Sequence, residues 1–165
     1  MLGRITRHIL TTRRALTRAF PAPAREAIER AVHEGEVLHG GEVRFAVEAE
    51  LDWRLLLAGV TARSRALEVF SGLRVWDTEA NNGVLIYVLF ADRDVEIVAD
   101  RGFNGKVSAE EWQGICSAMR DRFAAGEFET GSLEGIRAVS RLMAAHFPAP
   151  AGGSRNEMPD RPVML

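Results

Sequence analysis

Alternation of apolar and polar positions is clearest over Glu42–Ala49. Val43, Phe45 and Val47 fall on one side, and Glu42, Arg44, Ala46 and Glu48 on the other. A period of two predicts a β-strand with one apolar face. Gly83–Phe90 is apolar throughout apart from the Tyr87 hydroxyl. A strand with no polar face is covered on both sides and is central in its sheet. The turn-rich Ala91–Asp94 follows, and Val95, Ile97 and Ala99 then alternate with Glu96, Val98 and Asp100. The second and third strands therefore read as an antiparallel hairpin.

Helical spacing fills most of the remainder. Over residues 4–20, Ile5, Ile9, Leu16 and Phe20 lie near one face of an amphipathic helix with arginines near the other, and Pro21 and Pro23 end it. A second helix is predicted from about Ala24 to Leu38, before Gly40-Gly41. Residues 51–73 read as helix in two pieces around Gly59. A helix between the first two strands predicts a parallel, right-handed crossover, and so a mixed sheet in an α/β fold. Ser108-Ala109-Glu110-Glu111 is a capping box that opens a helix running to about Ala125. A last helix is predicted over about Ser132–Phe147. From Pro148 to Leu165 the chain is rich in Pro, Gly and small residues and reads as a flexible tail.

At 165 residues the chain is expected to be one domain with tails. Its net charge of −2 hides an asymmetry: residues 1–25 hold six arginines and no acid, so fifteen basic residues face twenty-three acidic ones in the rest. An acidic body argues against a nucleic-acid partner. The basic N-terminal helix has three readings: an arm docked on the body, a helix lying on an anionic membrane surface, or an Arg-rich organelle presequence. No apolar run approaches the roughly 18–20 residues of a membrane span, and arginines interrupt any secretory core. The expected location is cytoplasmic, peripheral to the inner face of the membrane if the helix lies there. The partner expected is then a protein or the membrane surface. The single cysteine, Cys116, excludes an internal disulfide and reads as a buried, inert thiol.

Phosphate-binding glycine loops, nucleophile elbows and HExxH or EF-hand patterns are absent. His8, His33, His39 and His146 show no ligand spacing and read as surface or capping residues. One constellation remains. Glu79, Asn81 and Asn82 precede the central strand, and Asp100 ends the third, all at the open end of the hairpin. Oxygen ligands of this kind suit Ca²⁺ or Mg²⁺. Asp92 and Asp94 lie at the opposite end and should not join them. The competing reading is that Asn81-Asn82-Gly83 is only a turn. Arg44, Glu48 and Glu96 could share the polar side of the sheet, with Arg44 holding an anion or with all three as charges guarding an edge.

The ordered set Glu42-Val-Arg-Phe-Ala-Val, Val75-Trp76, Asn82-Gly83-Val84-Leu85, Asp92-Arg93, Val95-Glu96-Ile97-Val98, Asp100-Arg101-Gly102 and Phe123-x-x-Gly126-x-Phe128-x-x-Gly131 resembles TPM domains over about residues 24–147. It is most similar to their stand-alone bacterial branch. The resemblance implies a three-layer α/β/α sandwich around a small mixed sheet, with residues 1–23 as an additional amphipathic helix. It also implies phosphatase activity and divalent-ion binding, although related domains act in photosystem repair or receptor assembly. Where many members carry two aspartates, this chain has Asn81 and Ser108. Two functions follow as expectations. One is a non-catalytic binding or scaffolding module. The other is a metal-assisted phosphomonoester hydrolase in which Asp100 and Glu79, helped by Asn81 and Asn82, hold the ion and Arg44 contacts phosphate.

Overall fold

The computed structural model describes residues 2–152 and 155–165. Its sheet has the order β3-β2-β1-β4. β1 (Glu42–Glu48) runs parallel to β2 (Gly83–Leu89), with Phe45 opposite Ile86, and β2 pairs antiparallel with β3 (Asp94–Ala99), with Ile86 opposite Ile97. The alternation in the sequence sorts side chains between two cores. Val43, Phe45 and Val47 join Val84, Ile86, Val88, Val95 and Ile97 on one face, under α3 (Ala22–Glu36), α6 (Ala109–Ala124) and α7 (Phe128–His146). Ala46, Leu85, Tyr87, Leu89 and Val98 occupy the other face with α4 (Trp53–Leu57) and α5 (Ala62–Gly72). The result is the expected three-layer α/β/α sandwich, with β2 buried along its whole length.

Local chemistry sets the ends of the elements. Ser108 and Glu111 close the capping box of α6, and Thr61 with Ser64 does the same for α5. Gly126, at φ +82°, lets the chain leave α6 and enter α7 four residues earlier than the periodicity indicated. Cys116 is buried among these helices, and burial pushes its thiol up to about 11.

Two regions differ from expectation. The N-terminal segment is two helices, α1 (Leu2–Leu10) and α2 (Arg13–Ala19), because Thr12 takes an extended conformation and caps α2 through Ala15 N–H. Leu16 and Phe20 are buried, and Phe20 packs its ring against Phe90, Phe123 and Phe128. The arm therefore docks on the body. The second difference concerns the region expected to trail as a flexible tail. Val163–Met164 forms β4, parallel to β1 at Ala46 and Val47. β1 is thus an interior strand, and on its nominally polar side Glu42 and Arg44 are covered by residues 157–161 and Glu48 by Arg65 and Tyr87.

Candidate functional site

At the open end of the hairpin the backbone is drawn tight. Asp100 N–H donates to Gly83 O, and Gly102 N–H donates to Asn81 O. A Cβ at Gly83 would stand 1.9 Å from Val75 O, and one at Gly102 would stand 2.4 Å from Asn81 O. Only glycine fits either place. Asn81 adopts φ +52°, as the turn reading requires, and its Oδ1 accepts from Arg101 Nε at 2.8 Å. Asn82 is buried; its Nδ2 donates to Gly40 O at 2.8 Å, its N–H donates to Thr78 Oγ1, and its Oδ1 has no partner. Asp100 caps a short 3₁₀ turn, with Oδ1 accepting from Arg101 N–H and Oδ2 buried without a partner.

Backbone hydrogen bonds thus join the Asn81–Gly83 stretch to Asp100–Gly102, while the Asn82 side chain turns to Gly40. Glu79 is exposed, and its backbone N–H donates to the Glu157 carboxylate at 3.2 Å. Ca²⁺ takes six to eight oxygens, with affinity set by ligand charge. Here one carboxylate oxygen and one amide oxygen are left unpartnered, while the Arg101 cation holds a third oxygen. Among the described residues no three His, Cys, Asp or Glu side chains are arranged to hold a metal ion. The donor set fits a divalent ion only in part.

Asp92 and Asp94 lie at the far end, as the topology demands. Asp92 accepts from Arg4 at 2.8 Å and Arg7 at 2.6 Å, and His8 Nε2 lies 3.2 Å from it. Burial would raise this carboxyl, but its hydrogen bonds to Arg4, His8 and Arg7 hold it below the usual range. Asp94 pairs with Arg120.

Arg44, Glu48 and Glu96 do share one side of the sheet, yet each is engaged separately. Glu48 accepts from Arg65 and, at 2.5 Å, from the Tyr87 hydroxyl; Glu96 faces Arg63. Arg44 donates to Pro159 O and Arg161 O, so its hydrogen bonds go to main-chain carbonyls of the C-terminal segment.

Two of the histidines read as surface or capping residues are buried. His8 Nδ1 accepts from Leu51 N–H, and His39 Nδ1 lies 3.0 Å from Gly41 O. His39 Nε2 and Ser140 Oγ are both buried without partners, and both come within 4 Å of where a Gly35 Cβ would stand. Ser140 and Gly35 line a cavity of about 270 Å³ together with Arg137 and Arg141. Nothing in the spacing of residues 35, 39 and 140 signals this meeting, which depends on α3 packing against α7.

A family model of the TPM domain matches residues 15–142. The chain belongs to the TPM domain family. It is similar to the BA42 protein of the psychrophilic bacterium Bizionia argentinensis, known from an NMR structure. Identity is 29%, the match covers 87% of this chain and 94% of that one, and the TM-score is 0.76. No curated protein matches the chain.

Proposed function

We propose that this TPM domain is a non-catalytic binding module that sits on an anionic membrane surface through α1 and α4. The supporting observation is where α1 turns its apolar side. Arg4, Arg7 and His8 face Asp92, while Leu2, Ile9 and Leu10 are 83%, 68% and 73% exposed. The adjacent α4 adds Trp53 and Leu57, one turn apart and both more than half exposed. Arg13, Arg14 and Arg18 are exposed just beyond. Exposed apolar residues rimmed by arginine suit an interface between headgroups and acyl chains. Among the described residues no helix is long and apolar enough to cross a membrane.

Vesicle co-sedimentation tests this reading. Binding should require anionic lipid, weaken with salt, and fall at least tenfold in Ile9→Glu/Trp53→Glu. These positions are exposed, so the fold is retained, whereas deleting residues 1–20 would strip Leu16 and Phe20 from the core. Binding that ignores both lipid charge and these substitutions rejects the reading.

The two unpartnered oxygens, Asn82 Oδ1 and Asp100 Oδ2, favour a second reading, a divalent-ion-assisted phosphatase. Asp100 and Asn82 would hold the ion, with Asn81 and Glu79 as further donors. Such an ion would polarise a phosphoryl oxygen and lower the pKa of a water. A ligand that binds only the folded state raises the melting midpoint. Millimolar Ca²⁺ or Mg²⁺ should then raise the midpoint in the natural chain but not in Asp100→Asn. No rise in the natural chain removes this reading.

A further inference from the structure

β1 owes its second neighbour to a segment outside the residues matched by the family model. Val163–Met164 pairs with Ala46 and Val47, and Leu165 N–H donates to Val47 O at 2.8 Å. Upstream of this ladder the segment is gripped by side chains. The Glu42 carboxylate accepts Glu157 N–H at 3.0 Å and Met158 N–H at 3.1 Å. Arg44 donates to the carbonyls of Pro159 and Arg161. Thus the two charged side chains of β1 nearest the segment, 2% and 8% exposed, are aimed at main-chain groups, alternately accepting and donating. Such an arrangement reads an extended backbone and leaves residue identity to a few contacts. Those contacts are Met158, which joins the core cluster on the α4–α5 side of the sheet, and Asp160, whose carboxylate lies 3.0 Å from His33 Nδ1.

A strand edge with pockets for alternate side chains is the geometry by which extended peptides add to sheets. Residues 149–154 join the segment to α7 and supply Pro150 and Gly152. A short tether holds such an occupant at an effective concentration of the order of millimolar. A competing peptide therefore has a threshold to overcome, and the groove is occupied by default.

We propose that the edge of β1 turned away from β2 is a peptide-accepting groove, that residues 155–165 are its tethered occupant, and that its partner is an extended segment of another protein bearing a methionine-like side chain with an acid two residues on. The groove contacts come from Glu42, Arg44, Ala46 and Val47 of β1, none of which is altered in the vesicle experiment, so that experiment and the ones below can fail separately.

Native-state hydrogen exchange on the full natural chain is the first test. The amides of Met158 and Leu165 should exchange at least tenfold faster than those of the β1–β2 ladder, because the segment leaves without global unfolding. Equal rates overturn the proposal. The second test is fluorescence anisotropy with a labelled peptide of sequence RNEMPDRPVML, added to full-length protein. The peptide should bind full-length Met158→Asp/Met164→Pro at least tenfold more tightly than the natural chain, and this gain should disappear on adding Arg44→Gln. Equal affinity for all three proteins overturns the proposal. If the weakened chain instead pairs with a second copy of itself, seen as a concentration-dependent dimer that excludes the peptide, the assignment of the groove to a separate partner is overturned.

Discussion

Gly35 shows how one missing side chain shapes a site. A Cβ there would stand 2.2 Å from Ser140 Oγ. Gly35→Ala should therefore destabilise the protein by about 1–3 kcal/mol, the usual cost of overpacking. Urea unfolding checks this, and Gly35→Ala/Ser140→Gly should recover most of the loss, because contacting residues are not additive. Equal losses in the single and double variants would mean that α3 and α7 simply move apart. At this scale the open-end site was half legible. The left-handed Asn81 and the convergence with Asp100 follow from residue types and hairpin topology. That Arg101 would take Asn81 Oδ1, or that Arg44 would turn to Pro159 O and Arg161 O, does not follow, since neither partner is near in pattern. His39 escaped for the same reason: one histidine beside two glycines carries no sign of burial.

Among the elements, the N-terminal arm is held by two unlike devices. α2 is fixed by burial of Leu16 and Phe20, and α1 chiefly by polar groups gathered on Asp92. Asp92→Ala leaves three donors without their acceptor and should cost about 1–3 kcal/mol. The loss should be local. Trypsin cleavage after the exposed Arg13 or Arg14 should accelerate at least tenfold, while Phe20 keeps α2 in place. Unchanged cleavage would show that Ile5 and the Leu51–His8 hydrogen bond hold α1 unaided. The strands and the later helices were legible because their periods run for several turns or alternations. The break at Thr11-Thr12 was not, because threonine caps a helix or continues it according to what lies next to it. β4 escaped detection because two residues have no period, and the stretch before it is ordered by Glu42 and Arg44, 115 or more positions away in sequence.

At the scale of the whole molecule, two buried groups with large and opposite shifts contribute to how stability responds to pH. Burial pushes Glu36 up to about 8 from 4.5 and pushes His39 down to about 4 from 6.5. Folded Glu36 keeps a proton that the unfolded chain has released, so stability declines as pH rises from about 4.5 to about 8. His39 has the opposite sign: the unfolded imidazole takes up a proton first, so stability climbs from about pH 4 to 6.5. The two oppose each other below pH 6.5, and above it the decline due to Glu36 is uncovered. Urea unfolding should show that decline between pH 6.5 and 8, and Glu36→Gln should remove most of it, since an amide oxygen can still accept the Val43 N–H. An undiminished slope in Glu36→Gln would place the titrating group elsewhere. The family and the layered sheet were legible at this scale because they rest on strand order and on motifs in sequence. The closing of the sheet by β4 was not, because it brings together parts of the chain that share no pattern. The tryptophans carry a last consequence. Of the three, Trp112 is packed against Phe103, whereas Trp53 on α4 and Trp76 in the loop after α5 are each about half exposed. Both indoles should therefore emit at the long wavelengths of a water-bathed chromophore, with Trp76 serving as a built-in reference far along the chain from α1. Contact of the α4 face with anything apolar would turn Trp53 alone toward the blue, so the chain reports its own docking by its colour, without a label.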